Sequence, residues 1–339
     1  MSEPRVELED GVVRGRLVSF GGLLADLVVG VDAVPVRGED ALARDFTQTV
    51  GGGFAVLAAT ARLGMPTALA GVLGDDPIAA AARAALLEEG VELLLPEPRP
   101  GGSGLCLVLV DAGGERTMVT VEGVESRLRP EDFDAIQLEP GDIVYVSGYE
   151  LLYPHGPLLA DWVASNRPAN LIFDPGSLVE TIEPERLATV LAATRWLSLN
   201  AAEATALTGE ADPTAAAEAA LSHLPNLDVD GPKTRHIDKF SAHQHGGGVV
   251  VRAGSEGCVL LERGREAVVV PAFRAESVDT TGAGDTHVGA FVAALARGLD
   301  PAEACRWANA AAAHVVGISG QVSPPRVEKL REILDAGRV

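Results

Sequence analysis

The sequence predicts an α/β fold with a central, mostly parallel β-sheet covered by helices on both faces. Three observations carry this. From Pro130 to Leu207, helical patterns at 130–138, 156–165 and 184–193 each precede a short apolar run, at 143–146, 171–173 and 196–199. That alternation argues parallel strands joined by crossover helices. Two Gly-containing turns, Gly51-Gly52-Gly53 and Gly282-Ala283-Gly284, each open an Ala-rich run that a further glycine closes, at Gly64 and Gly298. The composition is globular, 47% hydrophobic and 22% charged over 339 residues, which is near the upper limit for a single core.

Taken in order, the acidic residues 1–15 read as an N-terminal extension. They lack the apolar stretch of a signal peptide. Leu17–Phe20 followed by Gly21-Gly22 reads as a buried first strand entering a turn. Asp26 sits in the apolar stretch Leu23–Val31, where a carboxylate needs a partner. The mixed, Pro-containing segment 32–50 predicts short strands outside the main sheet. Residues 54–63 read as helix and 67–72 as strand. Pro77 opens a helix that Gly90 closes. Residues 105–110 and 116–121 flank a Gly turn and read as a hairpin. Residues 213–224 are helical. Segment 226–248 then changes character, with two of the three lysines and His236, His243 and His245 among seven histidines. It reads as an atypical insertion and a surface loop. His243-Gln244-His245 has chelating residue types, but nothing in the spacing supplies a third ligand. Strands follow at 249–251, 258–261 and 267–270, and Asp300-Pro301 caps a helix. Residues 326–339 form a C-terminal helix and tail.

Bulk properties narrow the partners. A net charge of −21 argues against a nucleic-acid surface. No run approaches a membrane span. Cys106, Cys258 and Cys305 are scattered, without disulfide or metal spacing, which points to a reducing cytoplasm. The first strand–turn lacks G-x-G-x-x-G and an acid about 20 residues on, so a dinucleotide oxidoreductase is disfavoured.

The stretch Val278–Ala290 carries the chemistry. Gly282 and Gly284 flank one small residue, so backbone can approach a ligand closely. A helix is expected from Asp285 to Arg297. The first turn of a helix has unpaired N–H groups and a partial positive charge, and it attracts a phosphate or an oxyanion. A carboxylate at that start, Asp285, is placed to take a proton from a substrate hydroxyl while the N–H groups hold the group being transferred.

The run Asp279-Thr280-Thr281-Gly282-Ala283-Gly284-Asp285 resembles the signature of the ribokinase-like (PfkB-type) sugar kinase family. The resemblance spans roughly Leu17 to Pro325, with the insertion at 226–248 outside it, and defines one kinase domain at 16–325. It implies a small β-sheet lid built from about 32–50 and 103–122. It also implies ATP-dependent phosphorylation of a sugar or nucleoside hydroxyl, with Asp285 as base and Gly282, Ala283 and Gly284 as the anion hole. Asp26 then accepts hydrogen bonds from sugar hydroxyls, and Gly51 and Gly52 belong to the substrate side. At the matching position the family has an Asn, whereas this chain has Ala55. Losing one such hydrogen bond costs about 1–3 kcal/mol, roughly 10- to 150-fold in affinity. Asn200-Ala201-Ala202-Glu203 resembles the N-x-x-E motif that organises Mg²⁺ through waters beside the phosphates. The stretch Val249–Gly257 resembles a nucleotide-proximal motif containing Gly254 and Gly257. Arg252 stands where Thr is common, and contacts phosphate or faces solvent. Many family members carry an Arg soon after the residue matching Asp174, and this chain has none there. Asn309 matches a polar residue near the adenine. Asp279 and Thr281, with carbonyls of 317–325, match a monovalent cation (K⁺) site. His287 is read as a packing residue bordering the substrate. Family members also dimerise through the lid. Ala55 leaves open a nucleoside kinase, or a non-catalytic sugar- or nucleoside-binding homologue.

Overall fold

The short central runs form strands because their β-branched and aromatic residues bury on both faces, which requires a sheet covered on both sides. The computed structural model describes residue 13 and residues 15–225, 246–276, 278–318 and 322–337. Its first half contains β1 (Leu17–Phe20), β2 (Ala25–Gly30), β3 (Asp45–Val50), α1 (Phe54–Arg62), β4 (Thr67–Leu69), α2 (Pro77–Glu88), β5 (Glu92–Leu93), β6 (Leu105–Val110), β7 (Arg116–Val121), α3 (Pro130–Ala135), β8 (Ile143–Ser147), α4 (Gly148–Leu152) and α5 (Gly156–Asn166). Its second half contains β9 (Leu171–Asp174), α6 (Pro184–Leu191), β10 (Thr194–Asn200), α7 (Ala201–Thr208), α8 (Pro213–Leu221), β11 (Gly248–Arg252), β12 (Cys258–Glu262), β13 (Val268–Val270), α9 (Ala283–Ala296), α10 (Pro301–Val316) and α11 (Val327–Ala336).

Among the described residues, the main sheet has the strand order β13-β12-β11-β10-β9-β8-β1-β4-β5. Pairing is parallel from β5 to β11 and antiparallel across β12 and β13. Side-chain alternation splits the core into two layers. Val18, Phe20, Val144, Val146, Phe173 and Leu199 pack on one face, with Trp162 of α5 and Ala216 of α8. Leu17, Tyr145, Ile172, Trp196 and Val250 pack on the other, with Phe291 of α9 and Trp307 of α10. The chain goes from β1 to β4 on one side, then returns to place β8 on the other. The sheet therefore has a switch point beside β1, and in sheets of this kind ligands bind there at the carboxyl ends of the strands.

A second sheet, β3-β2-β6-β7, stands apart as the lid. Its make-up corrects the expectation from residues 32–50 and 103–122. Ala25–Gly30 is a lid strand, hydrogen-bonded to both β3 and β6. Within 32–50 only Asp45–Val50 is strand. An apolar run looks the same whether it enters a main sheet or a lid; the turn at Gly21-Gly22 decides, by carrying the chain off the main sheet. Buried glutamates fix that departure. Glu125 accepts the N–H groups of Gly104 (2.9 Å) and Gly123 (2.7 Å), one at each stem of the β6–β7 hairpin. Glu150 accepts the Gly22 N–H at 2.8 Å and pairs with His155 at 3.0 Å.

Two expectations fall outside the described residues. The His- and Lys-containing part of the insertion, 226–245, is one, and most of the extension, 1–12 with Arg14, is the other.

Candidate active site

Helix α9 begins at Ala283, two residues before the expected start, because Gly282 caps it in the left-handed conformation (φ +69°). That conformation disfavours any side chain, and a Cβ on Gly282 would also lie 2.5 Å from Val322. Gly282 is therefore a shape requirement. Gly284 differs: a Cβ there would meet its nearest neighbour, Arg252, at an ordinary 3.6 Å. The Ala283 N–H is spent on the Thr280 carbonyl at 3.3 Å. Helix geometry leaves the Gly284 and Asp285 N–H groups without intrahelical partners.

Asp285 stands in this first turn. Burial, and then repulsion from Asp174 and Asp26 against attraction to Arg252, lift its carboxyl to about 7. A carboxylate poised there exchanges protons near neutral pH, as a general base must. Asp26, on lid strand β2, is lifted by burial to about 6. Gly51 exists to clear it, since a Cβ would lie 2.3 Å from the Asp26 carboxylate. The Gly51 N–H is used by Leu24 O at 2.9 Å. Gly52 (φ +65°) would collide with Gly22 O at 2.2 Å. Ala55 is buried in the first turn of α1.

Three neighbouring strands end on residues expected to face the nucleotide. Asn200 pairs in register with Arg252 across β10 and β11, and Asp174 ends β9 next to them. Asn200 and Glu203 form a reciprocal cap. Glu203 accepts from Asn200 N and Nδ2, both at 2.7 Å, and donates its own N–H to Asn200 Oδ1 at 2.9 Å. Burial, then repulsion from Asp174, lift Glu203 to about 7.

Arg252 does not face solvent. Its side chain is 12% exposed and donates to Asp174 (2.8 Å), to Ser198 Oγ and to Glu203 (3.4 Å). A guanidinium thus sits beside Asp174, delivered from β11 and not from the residues that follow Asp174 in sequence. Gly254 is open, with nothing within 4 Å of a Cβ, whereas one on Gly257 would strike Val270 O at 2.1 Å.

Other expected residues have their polar groups engaged within the protein. Asn309 is buried, donates to Val270 O (2.9 Å) and Pro271 O (3.1 Å), and meets His287 Nε2 at 3.2 Å. Asp279 accepts the Thr281 N–H (2.8 Å) and hydroxyl (2.6 Å), bracing the signature turn.

Sequence reasoning missed two parts of the cleft. Tyr149, at the start of α4, is 37% exposed and shares a 2.9 Å hydrogen bond with Ser177. It feels the charges of Glu203, Asp285 and Asp174. Arg116 of lid strand β7 reaches back to donate to Thr281 (2.6 Å) and Thr280 (2.9 Å). A Gly turn ending in Arg was the only sequence signal for it.

Comparison with known proteins fits this geometry. The model of the pfkB family carbohydrate kinases matches residues 14–327. The uncharacterized sugar kinase YegV of Escherichia coli (strain K12) is 31% identical over 324 residues, 95% of each chain. Bacillus subtilis ribokinase is 30% identical over 320 residues, 93% of this chain and 98% of its own. The crystal structure of Thermotoga maritima ribokinase superposes with a TM-score of 0.75 at 24% identity, covering 94% of this chain and 99% of that one. The structure of Arabidopsis thaliana ribokinase complexed with ribose and ATP gives 0.72 at 24% identity, covering 94% and 98%. The signature turn, the two-sheet architecture and these matches together place the chain in the pfkB family of carbohydrate kinases.

Proposed function

We propose that the protein transfers the γ-phosphoryl group of ATP to a hydroxyl of a sugar. One observation carries this reading. A carboxylate lifted to about 7 lies in the first turn of a helix whose leading N–H groups lack intrahelical partners, with Arg252 at the carboxyl end of β11 packed against it. Asp285 takes the acceptor's O–H proton. The acceptor oxygen bonds to the γ-phosphorus, and the bond to the β,γ-bridging oxygen breaks with its electrons leaving on ADP. The α9 N–H groups stabilise the charge on the transferring group, and positioning supplies most of the rate.

Among the described residues, no cluster of three or more His, Cys, Asp or Glu is placed to hold a metal. Asn200 and Glu203 nevertheless fit Mg²⁺, a hard cation that keeps waters and phosphate oxygens and needs few protein ligands. They would hold it through waters, where it neutralises phosphate charge. Asp279 and Thr281 would contribute to a K⁺ site only through a loop whose residues 319–321 are not described. Asp26 holds acceptor hydroxyls. With Ala55 removing one partner, Tyr149 and Ser177 supply the opposite wall. Ribose is the first acceptor to test, because relatives at 29–30% identity are ribokinases.

The lid also serves assembly in this reading. Its outer face carries Phe46, Val119 and Val121, exposed at 60%, 58% and 51%, beside Leu107 and Leu109. An apolar sheet face of that kind fits a second copy of the chain. Sedimentation should report a dimer that Val119→Glu converts to monomer; an unchanged wild-type monomer excludes it.

The deciding experiment is coupled ADP release over pentoses, hexoses, phosphorylated sugars and nucleosides. At least one sugar should give acceptor-dependent ADP. Asp285→Asn should cut that turnover by 10³-fold or more while ATP still binds. Unchanged turnover in the variant removes Asp285 as base.

A further inference from the structure

We propose that Arg252 grips the phosphoryl group in transit, by a guanidinium braced on two carboxylates and laid against the N-terminal turn of α9. This rests on the kinase reading and assigns a charge that the reading lacks.

The side chain is built for that position. Arg carries five N–H donors in a rigid fork. Asp174, Ser198 and Glu203 engage Nη1 and Nη2. The Nε–H and one Nη2–H make no bond among the described residues. The atoms nearest to a Cβ on Gly284 are the Arg252 Nη2, Cζ and Nε, at 3.6, 3.7 and 3.8 Å. The three near-equal distances put the guanidinium's flat face against this position of the first turn, where the helix N–H groups are also unspent.

Charge balance points the same way. Asp174, Glu203, Asp285 and Asp26 interact electrostatically around this crevice. A triphosphate adds several more negative charges. Arg252 is the cation that ion-pairs inside that ring among the described residues. It is fixed by carboxylates before any ligand enters, so little ordering remains when phosphate binds. A threonine at this position is too short to reach both Asp174 and the first turn of α9, and a lysine has no fork. Planar recognition of phosphate oxygens is an arginine property.

The test uses the full-length protein with Mg²⁺. Calorimetry measures ATP and ADP binding without acceptor for wild type, Arg252→Lys and Arg252→Ala. Because Arg252→Ala leaves two buried carboxylates facing each other, the double variant Arg252→Ala/Asp174→Asn is measured beside it and melting curves establish folding. The proposal expects ATP to weaken at least tenfold and ADP less than threefold. It also expects turnover to fall 10²-fold or more, and free guanidinium to restore part of it in the alanine variants. ATP and ADP weakening equally, with no guanidinium rescue, reduces Arg252 to a brace for Asp174 and Glu203 and overturns the proposal. Wild type that binds ATP yet releases no ADP with any acceptor defeats the kinase reading, whereas the binding arm still judges Arg252 by its ATP–ADP difference.

Discussion

Gly282 and Gly284 look interchangeable in the sequence, and a single Cβ separates their roles. At Gly282 a methyl would meet Val322 at 2.5 Å in a left-handed backbone. Strain and overlap together should cost roughly 2–3 kcal/mol. At Gly284 the methyl meets only Arg252 at 3.6 Å, and alanine favours a helix by about 0.5–1 kcal/mol over glycine. Gly284→Ala should thus melt at or above wild type yet lose turnover by a hundredfold or more, because the methyl occupies the space of a phosphate oxygen. Gly282→Ala should lose melting temperature first. Equal effects of the two on stability and rate would mean that neither glycine faces the ligand. The charged residues follow a different rule. Asp285 and Glu203 were readable because a motif of fixed spacing carries them. The Asp174–Arg252 pair was not, since 78 residues separate the partners and only the adjacency of β9, β10 and β11 closes that distance.

Elements explain which parts of the fold were legible. The alternation from Pro130 to Leu207 maps onto β8, β9 and β10 because strands buried on both faces are apolar throughout. Helix α4 escaped notice, because five residues after Ser147 carry too little periodicity to register. The lid expectation left out Ala25–Gly30 because an apolar stretch does not report which sheet it will join. The lid also engages the signature turn. Arg116 crosses to Thr280 and Thr281, 164 and 165 residues away, and Thr281 is itself bonded to Asp279. All three contacts involve the turn that precedes α9. A lid held there shields the cleft from water. Arg116 is exposed and its partners are neutral, so losing it should leave the melting temperature within about 2 °C. Arg116→Ala should instead lower kcat/KM for the acceptor roughly tenfold and speed proteolytic cutting of the hairpin tip at 111–115. Unaltered cutting and unaltered kinetics would show that the lid is held without it.

At the scale of the whole molecule, function and stability oppose each other through charge. Asp26, Glu203 and Asp285 keep their protons to about pH 6, 7 and 7, against ordinary values of 3.8, 4.5 and 3.8. The folded chain therefore binds more protons than the unfolded chain between about pH 4 and 7. Unfolding releases those protons, so these groups make stability fall as pH rises through that window. Catalysis runs the other way. In the proposed mechanism Asp285 works as base only when ionised, so kcat/KM should rise with pH to a plateau above an apparent pKa of about 7. A net charge of −21 adds self-repulsion on the same alkaline side. Asp285→Asn separates the two effects, because the amide keeps the shape and never ionises. At pH 5 the variant should gain less than at pH 8, because there only the unfolded wild type is ionised at this position. At pH 8 the variant should be more stable by on the order of 1–2 kcal/mol once solvent screening is allowed for, or roughly 2–4 °C. Calorimetric melts of the ligand-free protein at the two pH values measure this directly. A variant that gains nothing at pH 8 would mean that Asp285 ionises without strain, and the rise of kcat/KM near pH 7 would then belong to another group.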